Sequence, residues 1–302
     1  MKTQYSQAKA RHGLLLLLLS AILWGTVGVV IQALYELSAT NPLSVAFLRL
    51  ALSLPALFLA CQLTLGKQAF KVAPRYLWLM LLIGAMTALY QVCYFAAIAR
   101  IGVAAATLIT LCTAPVWVAI LALILLKERL TTGVCLSGSC AVVGTILLVD
   151  VQTPTTMQSN SIFGILLALS SSSFYALVVL SSRTLAGKCH PLQSLTVGFS
   201  AGTLILLPFA LGTGLVISYS GWSWLLLLYL GIVPTALAYL LYFSGIRHTT
   251  ATIASIATLL EPLTATILAW WFFGEQLGAF GLLGAAMLLI ASGLLYLENL
   301  RR

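Results

Sequence analysis

Long apolar runs, broken at short intervals by polar and turn residues, dominate the chain. They fall near 13–34, 42–63, 75–98, 103–126, 132–150, 162–185, 191–211, 222–246, 250–273 and 278–297. An α-helix rising about 1.5 Å per residue needs about 20 residues to cross a hydrocarbon core about 30 Å thick, and these runs match that length. The breaks carry turn and helix-start chemistry: Asn41-Pro42, Gly66-Lys67, Pro74-Arg75, Gly102, Lys127-Glu128-Arg129, Cys189-His190-Pro191, Gly221 and Gly274-Glu275. A transmembrane β-barrel requires strict alternation of apolar and polar residues, and these runs do not alternate. The pattern predicts an all-α membrane protein of ten transmembrane helices. The longest polar stretch, DVQTPTTMQSNS at 150–161, divides the chain into a first unit 1–150, a linker 151–161 and a second unit 162–302.

Composition narrows the class further. Of 302 residues, 61% are hydrophobic and 7% charged. A soluble domain carries about 25% charged residues, so this chain cannot cover a water-facing surface. The same apolar content excludes intrinsic disorder. The N-terminal run resembles a signal peptide in its basic start, but it continues through Trp24 to Leu34 with no small-residue cleavage site, so it reads as the first helix. The net charge of +9 has a topological meaning and does not point to nucleic acid. With the N-terminus in the cytoplasm, 13 of the 15 basic residues fall on the cytoplasmic side, Arg100 falls outside and Arg49 lies within a helix. That split places both termini in the cytoplasm. The six cysteines show no CxxC spacing and the three histidines do not cluster, so no metal or cofactor is expected. Walker, HExxH and GxSxG motifs are absent, so no enzyme is expected either.

The chain also repeats itself. At an offset of 147 residues Gly84, Arg100, Ala104, Pro115, Glu128 and Leu130 fall on Gly231, Arg247, Ala251, Pro262, Glu275 and Leu277. With small slips Pro42-Leu43 falls on Pro191-Leu192 and Gly13 on Gly164. Two halves of five helices each must enter the membrane from opposite sides, which predicts an inverted repeat, an architecture of secondary transporters.

Two halves, each carrying Pro and, thirteen residues on, Glu-x-Leu (Pro115…Glu128-Arg129-Leu130; Pro262…Glu275-Gln276-Leu277), resemble the EamA-type transporters of the drug/metabolite transporter superfamily. Trp24-Gly25 and Phe47-Leu48-Arg49 are similar to that family too. The resemblance implies a ten-helix bacterial inner-membrane carrier that moves small metabolites, commonly outward. The aromatic amino acid and viologen exporters of the YddG type are one candidate subgroup. Uptake or facilitated diffusion of another solute is an alternative, and a non-transporting scaffold or sensor is the competitor from another class.

Candidate site residues follow from depth and chemistry. Arg49 and Glu261 are the two ionisable residues well inside predicted helices, where each costs a few kcal/mol unless it faces a cavity or a partner. Their depths allow an ion pair. Either that pair fixes two helices, or Glu261 carries a proton through the transport cycle, or the two hold a zwitterionic substrate. The position equivalent to Glu261 in the first half is Ala114. Trp24, Tyr90, Gln91, Tyr94, Tyr175, Tyr239 and Tyr242 lie too deep for a headgroup belt and form a candidate aromatic pocket for stacking or cation–π contact. Thr107, Thr110 and Thr113 run along one side of the fourth helix, and Thr252, Ser255 and Thr258 along the ninth. They line a polar path or serve as close helix contacts. Thr113 and Thr258 count here as candidate substrate ligands. Pro115 and Pro262 mark kinks or hinges. Glu128 and Glu275 are expected to cap the helices that follow them. Gly281-x-x-x-Ala285 is a packing or dimer face, so the expected state is a monomer or weak dimer.

Overall fold

The computed structural model describes residues 2–69, 71–148, 159–273 and 278–301. Ten helices account for nearly all of them: α1 (Lys2–Leu37), α2 (Pro42–Leu65), α3 (Pro74–Ile101), α4 (Val103–Leu121, prolonged by a π turn Ala122–Leu126), α5 (Thr132–Leu148), α6 (Ser159–Leu185), α7 (Pro191–Gly212), α8, α9 and α10 (Ala279–Arg301). Helix α8 runs Gly221–Gly231, a π segment Ile232–Leu237 and Ala238–Gly245, and α9 runs Ala251–Ala257, a 3-10 turn Thr258–Leu260 and Glu261–Phe273. Among the described residues nine helices are long and apolar enough to span a membrane, and α5 supplies a shorter apolar helix, Thr132–Leu147. Of the linker expected at 151–161, residues 151–158 lie outside the described residues, and 159–161 belong to α6.

Helix starts follow their sequence signals. Asn41 Oδ1 accepts from the Ser44 amide, with Pro42 in the first turn. His190 Nδ1 accepts from the Leu192 amide while Gln193 Oε1 accepts from the His190 amide, a reciprocal cap.

The halves interlock. Helix α6 packs on α3 and α4, as α1 packs on α8 and α9; α2 packs on α7, and α5 on α10. Each contact therefore joins one half to the other. Ser137 Oγ donates to the Ala291 carbonyl and Cys140 Sγ to the Met287 carbonyl, while Gly144 lies against Gly284. These three pairs show α5 and α10 running antiparallel. At the offset of 147, Ser137 corresponds to Gly284 and Gly144 to Ala291, so the outer two contacts are images of each other. Cys140 corresponds to Met287, so that pair lies on the pseudo-twofold axis. Equivalent helices that run antiparallel define an inverted repeat.

The same axis relates the closest backbone approaches. Gly84 on α3 abuts the backbone of Gly198 and Gly202 and the Ala201 methyl on α7; Gly231 on α8 abuts Leu52 and Ser53 on α2. Leu52 and Ser53 correspond to Ala201 and Gly202 at an offset of 149. In lipid, helix association depends on such contacts because side-chain burial gains little against hydrocarbon. Exposed apolar residues such as Leu63, Ile124, Leu204 and Trp271 form the lipid-facing surface.

A Cβ at Gly84 would collide with the Gly198 carbonyl, whereas one at Gly28 would meet nothing within 4 Å. Gly84→Val is expected to destabilise the fold by about 1–3 kcal/mol, while Gly28→Ala leaves it unchanged or firmer. Thermal unfolding of the two variants in detergent checks this.

Candidate functional site

Pro234 interrupts α8. It has no N–H to donate, and the helix widens into a π turn over Ile232–Leu237. The Thr235 hydroxyl donates to the Leu230 carbonyl at 2.6 Å and accepts from Arg49 Nε at 3.3 Å. Thr235 is the partner that sequence reasoning missed. A π turn cannot be read from hydropathy, although Pro234 was its signal. Among the described residues neither terminal guanidinium nitrogen of Arg49 has an acceptor.

Pro262 perturbs α9 differently. The helix tightens into a 3-10 turn at Thr258–Leu260, immediately before Glu261. The equivalent Pro115 sits in an unbroken α4, so the proline symmetry does not extend to symmetric breaks. Glu261 lies within electrostatic reach of Arg49, Tyr90, Tyr94 and Tyr175. The ion pair that the sequence allowed is not formed: Arg49 and Glu261 do not approach within 4.0 Å. Among the described residues Glu261 accepts no hydrogen bond and enters no ion pair.

Aromatic side chains cluster in the same part of the bundle. Trp24 meets Tyr239 edge-on at 4.9 Å and Tyr242 at 5.3 Å. Phe199, on α7, closes on Tyr239 at 5.0 Å, and Tyr90 meets Tyr175 at 5.9 Å. The Tyr90 and Tyr239 hydroxyls are 3.1 Å apart. Phe199 was not anticipated, because an apolar ring in an apolar helix carries no distinguishing signal. Trp24 Nε1 and the Tyr242 hydroxyl are buried without a partner, at 6% and 1% residue exposure. Sealed, unpaired donors are rare in proteins and each costs about 1–3 kcal/mol.

Other expected site residues are used locally. Gln91 donates to the Thr87 carbonyl of its own helix, and Thr258 to the Ser255 carbonyl. Thr113 donates to the Ile109 carbonyl and its oxygen accepts from the Ser172 hydroxyl on α6. Tyr94 pairs with the Thr107 hydroxyl. The threonine row of α4 is therefore mainly a helix contact. Glu128 does not cap the helix after it. The left-handed turn at Lys127 (φ 54°) directs its carboxylate across to α9, where it accepts from the amides of Ala251 at 3.0 Å and Thr252 at 3.5 Å. Arg183 of α6 stands 3.7 Å away. Glu275, its counterpart, lies outside the described residues.

The contact of Glu128 with α9 lies at the face where α1 begins, and the half-helices there are more buried than their counterparts at the other face. Every residue of Val178–Ser182 on α6 is buried, whereas every residue of the equivalent Val27–Ile31 on α1 keeps accessible surface. All of Thr252–Leu259 on α9 is buried, but of the equivalent Ala105–Cys112 on α4 only Ala106 is. These equivalent half-helices are more deeply buried at the terminal face than at the far face.

The sequence profile described as the EamA-like transporter family matches the chain twice, over residues 11–150 and 162–297. The chain belongs to that family. It is similar to an uncharacterized transporter of Archaeoglobus fulgidus, 32% identical over 279 residues, 92% of this chain and 94% of that one. It is also similar to the uncharacterized transporter YwfM of Bacillus subtilis, 29% identical over 91% of this chain and 90% of that one. The pseudopaline exporter CntI of Pseudomonas aeruginosa is 26% identical over 93% of this chain and 94% of its own. One crystal structure superposes with a TM-score of 0.82 over 96% of this chain and 98% of its own, at 18% identity, which is a likeness of fold. This EamA-like protein is thus a small-molecule transporter and an integral, multi-pass membrane protein.

Glu128→Ala leaves the first amides of α9 without their acceptor. A lost helix cap costs about 0.5–2 kcal/mol, so the midpoint of thermal unfolding in detergent is expected to fall, while Glu128→Gln, which keeps the acceptor oxygen, recovers part of the loss.

Proposed function

We propose that this EamA-like transporter is a secondary carrier that exports small metabolites, amino acids or their analogues foremost, by alternating access. It acts in the bacterial inner membrane with both termini in the cytoplasm, and carries out no enzymatic step. The unequal burial of equivalent half-helices carries the reading. Two inverted halves of the same fold need not be equally open at both faces, and exchanging their arrangements exchanges the open face. Here the half-helices Val178–Ser182 and Thr252–Leu259 are sealed at the terminal face, and their images Val27–Ile31 and Ala105–Cys112 are not. With the basic residues marking the cytoplasmic side, this arrangement is outward-facing. The substrate site lies where the breaks of α8 and α9 converge, among Trp24, Arg49, Tyr90, Tyr175, Tyr239 and Glu261. Glu128, bound to the start of α9, acts as part of the inner gate.

The similarity to a protein named as an exporter supports the outward direction. A proton is the proposed counter-ion. Glu261 supports it, being the one acidic residue in the middle of a described span and lacking a protein partner.

The test is counterflow in proteoliposomes. Purified protein is expected to exchange a labelled amino acid for unlabelled substrate with saturation, faster under an imposed pH gradient. Flux proportional to concentration without saturation would indicate a channel. No flux for any member of a panel of amino acids and organic cations would leave a scaffold or sensor as the better reading.

A further inference from the structure

The repeat axis separates what the scaffold needs from what the cargo needs. A residue that holds the two halves together should serve equally well on either side of the axis, as Gly84 and Gly231 do. Three positions at the centre break this rule together. Arg49 corresponds to Gly198, Thr235 to Ala88 and Glu261 to Ala114. Where α7 meets α3, Gly198 lets the helices close against Met80 and Gly84. Where α2 meets α8, α2 carries a guanidinium at the matching place, and α8 departs from α-helical geometry over Ile232–Leu237 where Thr235 receives it. Packing supplies no reason for this difference, since the uncharged version is present in the same molecule. The α3–α7 contact shows that the scaffold closes without a charge at this position.

Both charged ends are unspent. Thr235 holds the Nε of Arg49, and the terminal nitrogens, the pair suited to a carboxylate, have no acceptor. Glu261 has no donor. The two charges sense each other electrostatically but do not close into a pair, and aromatic rings lie around them. Two buried aromatic donors in the same cluster, Trp24 Nε1 and the Tyr242 hydroxyl, also lack partners. A positive fork, a separate carboxylate and an apolar aromatic wall match one ligand chemistry. The ligand is a zwitterion with a carboxylate, an ammonium group and an apolar body.

We infer that Arg49 and Glu261 are the specificity-determining residues of this transporter, Arg49 binding the carboxylate and Glu261 the ammonium group of an amino acid with an apolar side chain. The inference rests on the proposed site and deepens it. Thr235 is a positioning residue: it fixes Nε so that the remaining two nitrogens present themselves together. A solute carrying only one of the two charges leaves the other protein charge desolvated and unpaired, which is how the site rejects it.

The experiment measures binding to purified protein in detergent by calorimetric titration, independently of flux. The probes are L-phenylalanine, phenethylamine and 3-phenylpropanoate, with L-leucine, 3-methylbutylamine and 4-methylpentanoate as the aliphatic series. The intact amino acid in at least one series is expected to bind at least tenfold more tightly than either of its truncated forms. Arg49→Gln should abolish the preference over the amine while keeping the preference over the acid, and Glu261→Gln should do the reverse. Thr235→Val, which keeps every charge, should weaken the amino acid and the acid by severalfold and leave the amine unchanged. Unfolding curves without ligand show whether each variant is folded, and the wild-type ranking needs no variant. Equal affinity within each series, no binding of either amino acid up to millimolar concentration, or variants that lower all three probes alike would overturn the inference. Counterflow without charge discrimination would sink it and leave the carrier intact; discriminating binding without counterflow would do the opposite.

Discussion

Hydrocarbon offers a peptide group no hydrogen-bond partner, and it gives two helices little reason to leave lipid for each other. Both conditions shape this molecule. The main chain is helical almost throughout, and helices meet where small residues let backbones touch: Gly84 against Gly198 and Gly202, Gly231 against Leu52 and Ser53, Gly144 against Gly284. Departures from α-helical geometry occur where neighbouring groups meet the cost. The π turn at Ile232–Leu237 returns the Leu230 carbonyl to use through the Thr235 hydroxyl, and the Thr258 hydroxyl finds the Ser255 carbonyl beside the 3-10 turn of α9.

Two copies of one five-helix unit, turned upside down relative to each other, make nearly every such contact twice. That duplication gives contacts between the halves counterparts across the axis, although equivalent half-helices are not equally buried. Cys140 and Met287 meet on the axis itself. Contacts far from it, such as Glu128 on the start of α9 with Arg183 nearby, belong to one face only. A carboxylate on exposed helix amides is suited to that place. Charge-assisted hydrogen bonds are strong enough to hold a helix start, and water at the face keeps the cost of releasing them modest.

Much of the fold was legible because membrane insertion leaves a one-dimensional record. Span number, the odd count in each half and the offset of 147 residues all survive in sequence, and Gly84, Pro115 and Glu128 fall on their counterparts without gaps. Charge depth was equally legible, since Arg49 and Glu261 stand alone in their spans. Side-chain direction was not. Gln91 and Thr113 have the chemistry of ligands, yet their hydrogen bonds go to Thr87, Ile109 and Ser172. Helix rotation decides that, and low amphipathicity in an apolar bundle hides rotation from the sequence. The reach of Glu128 across to α9 was hidden for a related reason: it depends on a left-handed turn at Lys127, a residue type that does not announce one.

The unpaired charges now bear on why the centre is arranged as it is. An arginine and a glutamate at comparable depth ordinarily pair, because separation leaves two desolvated charges in place of one neutral unit. Here Thr235 takes up Arg49, and an aromatic cluster that includes Trp24 and Tyr239 lies in the same part of the bundle. A bundle that used these residues only for its own stability would do better to let them meet, or to replace them with the Gly198 and Ala114 that stand at the matching positions of the repeat. The arrangement is therefore held open against its own electrostatics. The guest with complementary ends proposed above would balance it, by completing a set of interactions that the protein alone leaves unfinished.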